Sequence, residues 1–183
     1  MQYRAYAENK RVMAPKRLTD KEYAAAIARF PRVCADIIPI NRRNRTIYLA
    51  KRKLGHPNGW WWIGGALSAG EKPERAAQRN LKRETSLKLP VKRFDSLPKL
   101  NFYIWNLGNH SSKNLSCNDI VFCYLIEPSE KEIARMSRNL DQAEYEQSAA
   151  LIEFSRAAIK NQAGFNELAR KIILDIYDEV FPK

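Results

Sequence analysis

The chain has few of the groups that most often carry catalysis or lock a fold. It holds two histidines and three cysteines in 183 residues. Cys34, Cys117 and Cys123 have no metal-type spacing, and an odd number leaves one unpaired, so they read as reduced thiols. No apolar run approaches the roughly 18 residues that a membrane span needs. The basic start "MQYRAYAENKRVMAPKR" lacks the apolar stretch of a secretory signal. These absences predict a cytoplasmic protein with no membrane partner. Acid is also scarce: 20 Asp and Glu stand against 32 Lys and Arg, a formal net charge of +12. That balance favours an anionic partner, such as a nucleotide, a nucleic acid, a phosphorylated sugar or an anionic lipid.

What is present is enough for a core. Hydrophobic residues make up 45% and aromatics 10%, which excludes a disordered chain and fits one domain. There is no internal repeat and no linker. We divide the chain into an N-terminal extension, 1–16, and a domain with a C-terminal helix, 17–183.

The local patterns alternate between strand and helix. "RLTDKEYAAAIARFP" predicts a helix with a Thr19–Glu22 capping box, stopped by Pro31. "VCADIIPI" and "RTIYLAKR" predict a hairpin turned by "NRRN". Pro73 opens a helix that ends near Ser86. "RFDSLPKLNFYIWNL" reads as a strand with an edge or bulge at Pro98, and "IVFCYLIE" as a strong strand. Ser129 and Glu132 form a second capping box, "ALIEF" a short strand, and a helix starts at about Ser155. The last helix should bury Leu168, Ile172, Ile173, Ile176 and Val180. Interspersed strands and helices argue for a mixed sheet with helices packed on it. Among Trp60, Trp61 and Trp62, alternate residues of a strand read as core and one is able to stack on a nucleobase; Tyr103 and Trp105 are read in the same way.

The helix that starts at Pro73 carries the chemistry. At about 100° per residue, Ala76, Ala77 and Leu87 share an arc with Asn80 and Glu84 between them, and Arg83 sits at its margin. Glu84 therefore faces the sheet, where a carboxylate must be paired, hydrogen-bonded or metal-bound. Gly64 and Gly65 precede the helix. Glycines let backbone approach a ligand closely, and their carbonyls join Glu84 as oxygen donors suited to a hard cation. Glu71, just before the helix, suits the positive end of its dipole and lies in range to orient Arg79.

From Gly65 the spacing runs five residues to Glu71, seven more to Arg79, then Asn80, Leu81, Lys82, Arg83, Glu84, Thr85, Ser86 and Leu87. This resembles the Nudix box, G-x5-E-x7-R-E-U-x-E-E-x-G-U, with U a bulky apolar residue. Gly65, Glu71, Arg79, Leu81, Glu84 and Leu87 match; Asn80, Arg83 and Ser86 do not. The resemblance implies an α/β fold, a Nudix-type α/β/α sandwich with a mixed β-sheet. Loss of the first two helix acids with the third kept is similar to the GDP-mannose mannosyl hydrolase branch. The similarity runs over about residues 17 to 158 and includes "RFP", Asp36, "LAKRK" and Tyr124.

That resemblance implies a Mg²⁺-dependent hydrolase of a nucleoside diphosphate sugar in which water attacks the sugar carbon. Gly64, Glu84 and Gln147 would hold Mg²⁺. Arg52 and Tyr124 would contact the diphosphate, Asp36 would lie near the sugar, and the protein would be a homodimer. Two departures bear on the chemistry. Ala66 stands where the branch has an arginine, and Ser148 where it has a general-base histidine. His110, Glu144 and Glu146 are the candidate replacement bases. Two other readings stay open: attack at phosphorus in another nucleoside diphosphate derivative, and a non-catalytic nucleotide or nucleic-acid binding module.

Overall fold

In the computed structural model, residues 18–53, 57, 59–106, 116–146 and 150–182 are described. The first helix, α1 (Asp20–Ile27), has the predicted capping box: Thr19 accepts from the Glu22 backbone N–H while the Glu22 carboxylate reaches back. Two long strands organise the sheet. β1 (Arg32–Asn41) turns through residues 42–45 into the antiparallel β2 (Thr46–Arg52). β7 (Ser116–Ile126) runs parallel to β1 from Arg32↔Asp119 to Pro39↔Ile126.

Shorter strands complete an eight-stranded mixed sheet. β3 (Gly59–Trp61) pairs with β2, and β4 (Ile63–Ala66) pairs with β1 so that Gly64 faces Asp36. β5 (Asp95–Ser96) and β6 (Asn101–Asn106) share one edge of β7. β8 (Ile152–Phe154) pairs with β2. The stretch around Pro98 is thus not one strand. A 3-10 turn at Val91–Arg93 and a break between β5 and β6 divide it, as expected where a proline cannot donate to the ladder.

Helices cover both faces. On one, α2 (Pro73–Thr85) and α3 (Glu130–Arg138) set Ala76, Ala77, Leu81 and Met136 against Ala35, Ile37 and Ile63. On the other, α4 (Arg156–Asn161) and α5 (Glu167–Val180) set Ile159, Ile172, Ile173 and Ile176 against Ile38, Ile40, Ile47 and Leu49. The buried stripe of α5 is Ala169, Ile172, Ile173, Ile176 and Tyr177; Leu168, expected inside, is exposed. In the first turn the small Ala169 faces inward in its place. All three consecutive tryptophans, and not only alternate ones, are buried with Tyr103 and Trp105, and Trp61, Tyr103 and Trp105 meet edge to face. The three cysteines are buried, unpaired and all in strands.

Candidate active site

The site is built where β4 hands the chain to α2. Helix α2 begins with Pro73 at its first turn and ends at Ser86, which takes the left-handed conformation at φ 54°. That is the residue where the box has glycine, and the conformation gives the reason: a Cβ is unfavourable there. Glu71 and Arg79 clamp the intervening loop. Arg79 Nε and Nη2 donate to the two Glu71 oxygens at 2.9 and 2.7 Å, and Glu71 also accepts from the Ser68 N–H. The Arg79 guanidinium holds the Glu71 carboxyl below its ordinary range.

Three donors on α2 reach three successive carbonyls of the glycine strand. Arg83 Nη2 donates to Gly64 O at 3.4 Å, Asn80 Nδ2 to Gly65 O at 2.9 Å, and Arg79 Nη2 to Ala66 O at 3.0 Å. Asn80 Oδ1 in turn accepts from Arg79 Nη1 at 2.9 Å.

Glu84 is fully buried, as the helical arc requires. Its two oxygens are both taken: Oε1 accepts from Arg83 Nη2 and Oε2 from Tyr145 Oη, each at 2.5 Å. Burial pushes its carboxyl upward, the nearby Glu144 adds to that, and Tyr145 and Arg83 pull it down. Burial and the facing Glu84 raise the Tyr145 hydroxyl well above its ordinary value, so it stays a donor. Glu144 joins the two arginines, 2.9 Å from Arg52 Nη2 and 3.7 Å from Arg83 Nη2. The Arg52 guanidinium also lies 6.0 Å from the Tyr145 ring centre. The result is a charge-balanced group of two arginines, two glutamates and a tyrosine hydroxyl.

The predicted residues divide between two faces. Ala50 packs on the α2 face and Arg52 shares its alternation along β2, so Arg52 joins Gly64 and Glu84. Tyr124 is buried on this face too, edge-on to Phe94 at 6.4 Å. Asp36 shares the alternation of Cys34 and Ile38 and projects to the opposite face. There it accepts from Trp62 Nε1 at 2.7 Å, and burial pushes its carboxyl up to about 7. Gln147, Ser148, His56 and His110 lie outside the described residues. Glu146 pairs with Lys51 at 3.0 Å. Sequence reasoning missed Tyr145, and it passed over Glu144 as a partner for arginine. Both lie some sixty residues beyond Glu84 in a turn without a motif.

A family model, the NUDIX domain, matches residues 30–171. The chain belongs to the Nudix family. Solved structures agree on the fold. A MutT NUDIX hydrolase from Burkholderia pseudomallei is 22% identical, with a TM-score of 0.55 over 80% of this chain and 97% of that one. A MutT/nudix family protein from Enterococcus faecalis is 15% identical, with a TM-score of 0.51 over 90% of this chain and 75% of that one. A NUDIX hydrolase from Nitrosomonas europaea is 18% identical, with a TM-score of 0.50 over 81% and 89%. Among curated proteins, none matches the chain. No helix among the described residues is long and apolar enough to cross a membrane.

The Nudix resemblance raises the question of a divalent ion. Gly64 O and Glu84 are oxygen donors of the right kind. In this arrangement, however, Arg83 holds both of them and Tyr145 holds the second carboxylate oxygen. Asn80 presents an amide N–H to Gly65 O where an acid would present an oxygen. The described residues include no group of three or more His, Cys, Asp or Glu that could hold a metal. Among the described residues, which leave out Gln147, the donor set as placed does not fit a divalent cation.

Proposed function

We propose that this Nudix domain takes a nucleoside diphosphate sugar, or a closely related nucleoside diphosphate derivative, with its diphosphate against Arg52, and hydrolyses it. One observation carries the reading. Arg52 Nε is buried and has no hydrogen-bond partner among the described residues, while only one of its terminal nitrogens meets Glu144. A guanidinium keeping a desolvated donor unused is a site for a bidentate anion, and phosphate oxygens match its fork. The net charge of +12 assists encounter with such a ligand.

In the reaction, water oxygen bonds to the anomeric carbon, the bond from that carbon to the diphosphate oxygen breaks, and the nucleoside diphosphate leaves. Arg52 stabilises the charge that develops on the leaving group. Glu144, on the turn beside both arginines, is displaced from Arg52 by the diphosphate and accepts the water proton. Asp36 acts as a positioning residue through Gly64. GDP-mannose is the first substrate to test, and a homodimer is the expected assembly.

A second reading, binding without hydrolysis, is favoured by the occupied oxygens of Glu84 and by Ala66. Incubation with GDP-, UDP- and ADP-sugars in ¹⁸O-water, with and without Mg²⁺, separates the readings. Label in the sugar supports attack at carbon; label in phosphate moves the attack to phosphorus. Submillimolar binding without turnover supports the second reading, and no binding of any member overturns both.

A further inference from the structure

We propose that Arg83 is the resident cation of this Nudix site, so that the glycine strand and helix α2 are tied together, and diphosphate is neutralised, without a divalent metal.

The two box positions that depart inside the helix depart in one chemical direction. Each places a donor where the box has an acceptor-only carboxylate, and each new donor is aimed at the strand carbonyl within reach: Arg83 at Gly64 O, Asn80 at Gly65 O. Both changes remove negative charge, and Arg83 adds a positive one. Restoring a carboxylate at position 80 would set it against Gly65 O and Ala35 O, both of which now accept from the Asn80 amide.

The Arg83 contacts are those of a counter-ion. The guanidinium touches Gly64 O at 3.4 Å, Glu84 Oε1 at 2.5 Å and Glu144 Oε1 at 3.7 Å. Its partner Glu84 is fully buried, so the pair is not one of the solvated surface kind that contributes little. A divalent ion at these oxygens would compete with the guanidinium for them and be repelled by its charge. Arg83 itself stays about half exposed, so one side of its guanidinium is open to a ligand. Arg52 and Arg83 are both joined to Glu144, and a diphosphate that displaces Glu144 meets two guanidinium groups at once.

The ligand half of this inference rests on the proposed function; the metal half does not. Two measurements on the full chain keep them apart. The first tracks the free Mn²⁺ signal by electron paramagnetic resonance with no nucleotide present. The wild type is expected to leave submillimolar Mn²⁺ free, Arg83→Lys likewise because it keeps the charge, and the double variant Asn80→Glu, Arg83→Glu to sequester it. Mn²⁺ bound by the wild type, lost in Glu84→Gln and unchanged in Arg83→Ala, overturns the proposal. So does failure of the folded double variant to bind Mn²⁺, because the locus is then no cation site.

The second measurement titrates GDP calorimetrically in EDTA and in Mg²⁺. Equal affinity in the two, with a loss of about tenfold or more in Arg83→Ala, is the expected result. Binding that requires Mg²⁺ and ignores Arg83→Ala overturns the proposal. Absence of GDP binding in both media overturns the proposed function and the ligand half with it, and the Mn²⁺ result still decides the metal half.

Discussion

The carboxylate of Asp36 lies directly over the α-carbon of Gly64. The two residues face each other across the β1–β4 ladder, and a Cβ added at position 64 would stand 2.1 Å from Asp36 Oδ1. The glycine is required here by close approach. Gly64→Ala is therefore expected to destabilise the fold by about 1–3 kcal/mol. In the Asp36→Ala background the same change should cost less, with a remainder because the added Cβ would still stand 2.9 Å from the Asp36 Cα. Chemical denaturation of the four proteins checks this; a full, undiminished cost in the double variant would show that the carboxylate is not the obstacle.

Asp36 also makes a pH prediction. Burial raises its carboxyl from 3.8 to about 7, against the opposing Trp62 bond and Arg52, with Asp119 and Glu84 adding to the rise. Between about pH 4 and 7 the native state then keeps a proton that the unfolded chain has lost. Stability falls as pH rises through that window, by up to about 1.4 kcal/mol per pH unit, and levels off above it. Asp36→Asn keeps the acceptor for Trp62 and should flatten this slope. Urea midpoints between pH 4 and 8 provide the measurement.

Tyr145 serves one oxygen of the buried Glu84 carboxylate. Removing the hydroxyl in Tyr145→Phe strands that oxygen, at an expected cost of about 1–3 kcal/mol. A thermal melt that does not move would mean that water replaces the hydroxyl.

Glu144 occupies both arginines in the absence of ligand and is assigned the proton acceptor in its presence. Glu144→Gln should separate these roles. GDP binding is expected to tighten, because the competing negative charge is gone, while turnover of a nucleotide sugar falls by about 10²-fold or more. Calorimetry and steady-state kinetics on the same preparation read both. Weakened binding would remove Glu144 from competition for the arginines.

Ser86 holds a left-handed conformation without being glycine. Ser86→Gly should stabilise the protein by roughly 0.5–1 kcal/mol, less the added freedom of the unfolded chain. The Arg135 bond to Ser86 O uses backbone and survives the change. A lower melting temperature would sink the idea.

Much of the fold was legible along the chain because its causes are local. The Thr19–Glu22 and Ser129–Glu132 capping boxes involve residues three apart, and both form. The 3.6-residue period placed Glu84 on the buried arc of α2 and Arg83 at its margin, and the Glu71–Arg79 clamp joins residues only eight apart, from just before α2 to its middle. The Pro98 stretch was less legible. Its apolar content suits one strand, but the break between β5 and β6 depends on how both meet β7.

The sequence by itself determined the spacing of the glycine strand and α2, the burial of Glu84, and the family's fold, because spacing and period act over a few residues. Only the tertiary structure decided what Glu84 is bonded to. Tyr145 and Glu144 arrive from a turn about sixty residues away, and Asp36 is sent to the opposite face by the alternation of β1. Such pairings are set by which strands and helices pack together. Neither the direction of a guanidinium nor the partner of a buried carboxylate is encoded by its neighbours in sequence. Thus Arg83, a mismatch in the box when read along the chain, stands in three dimensions as the cation beside Gly64 and Glu84.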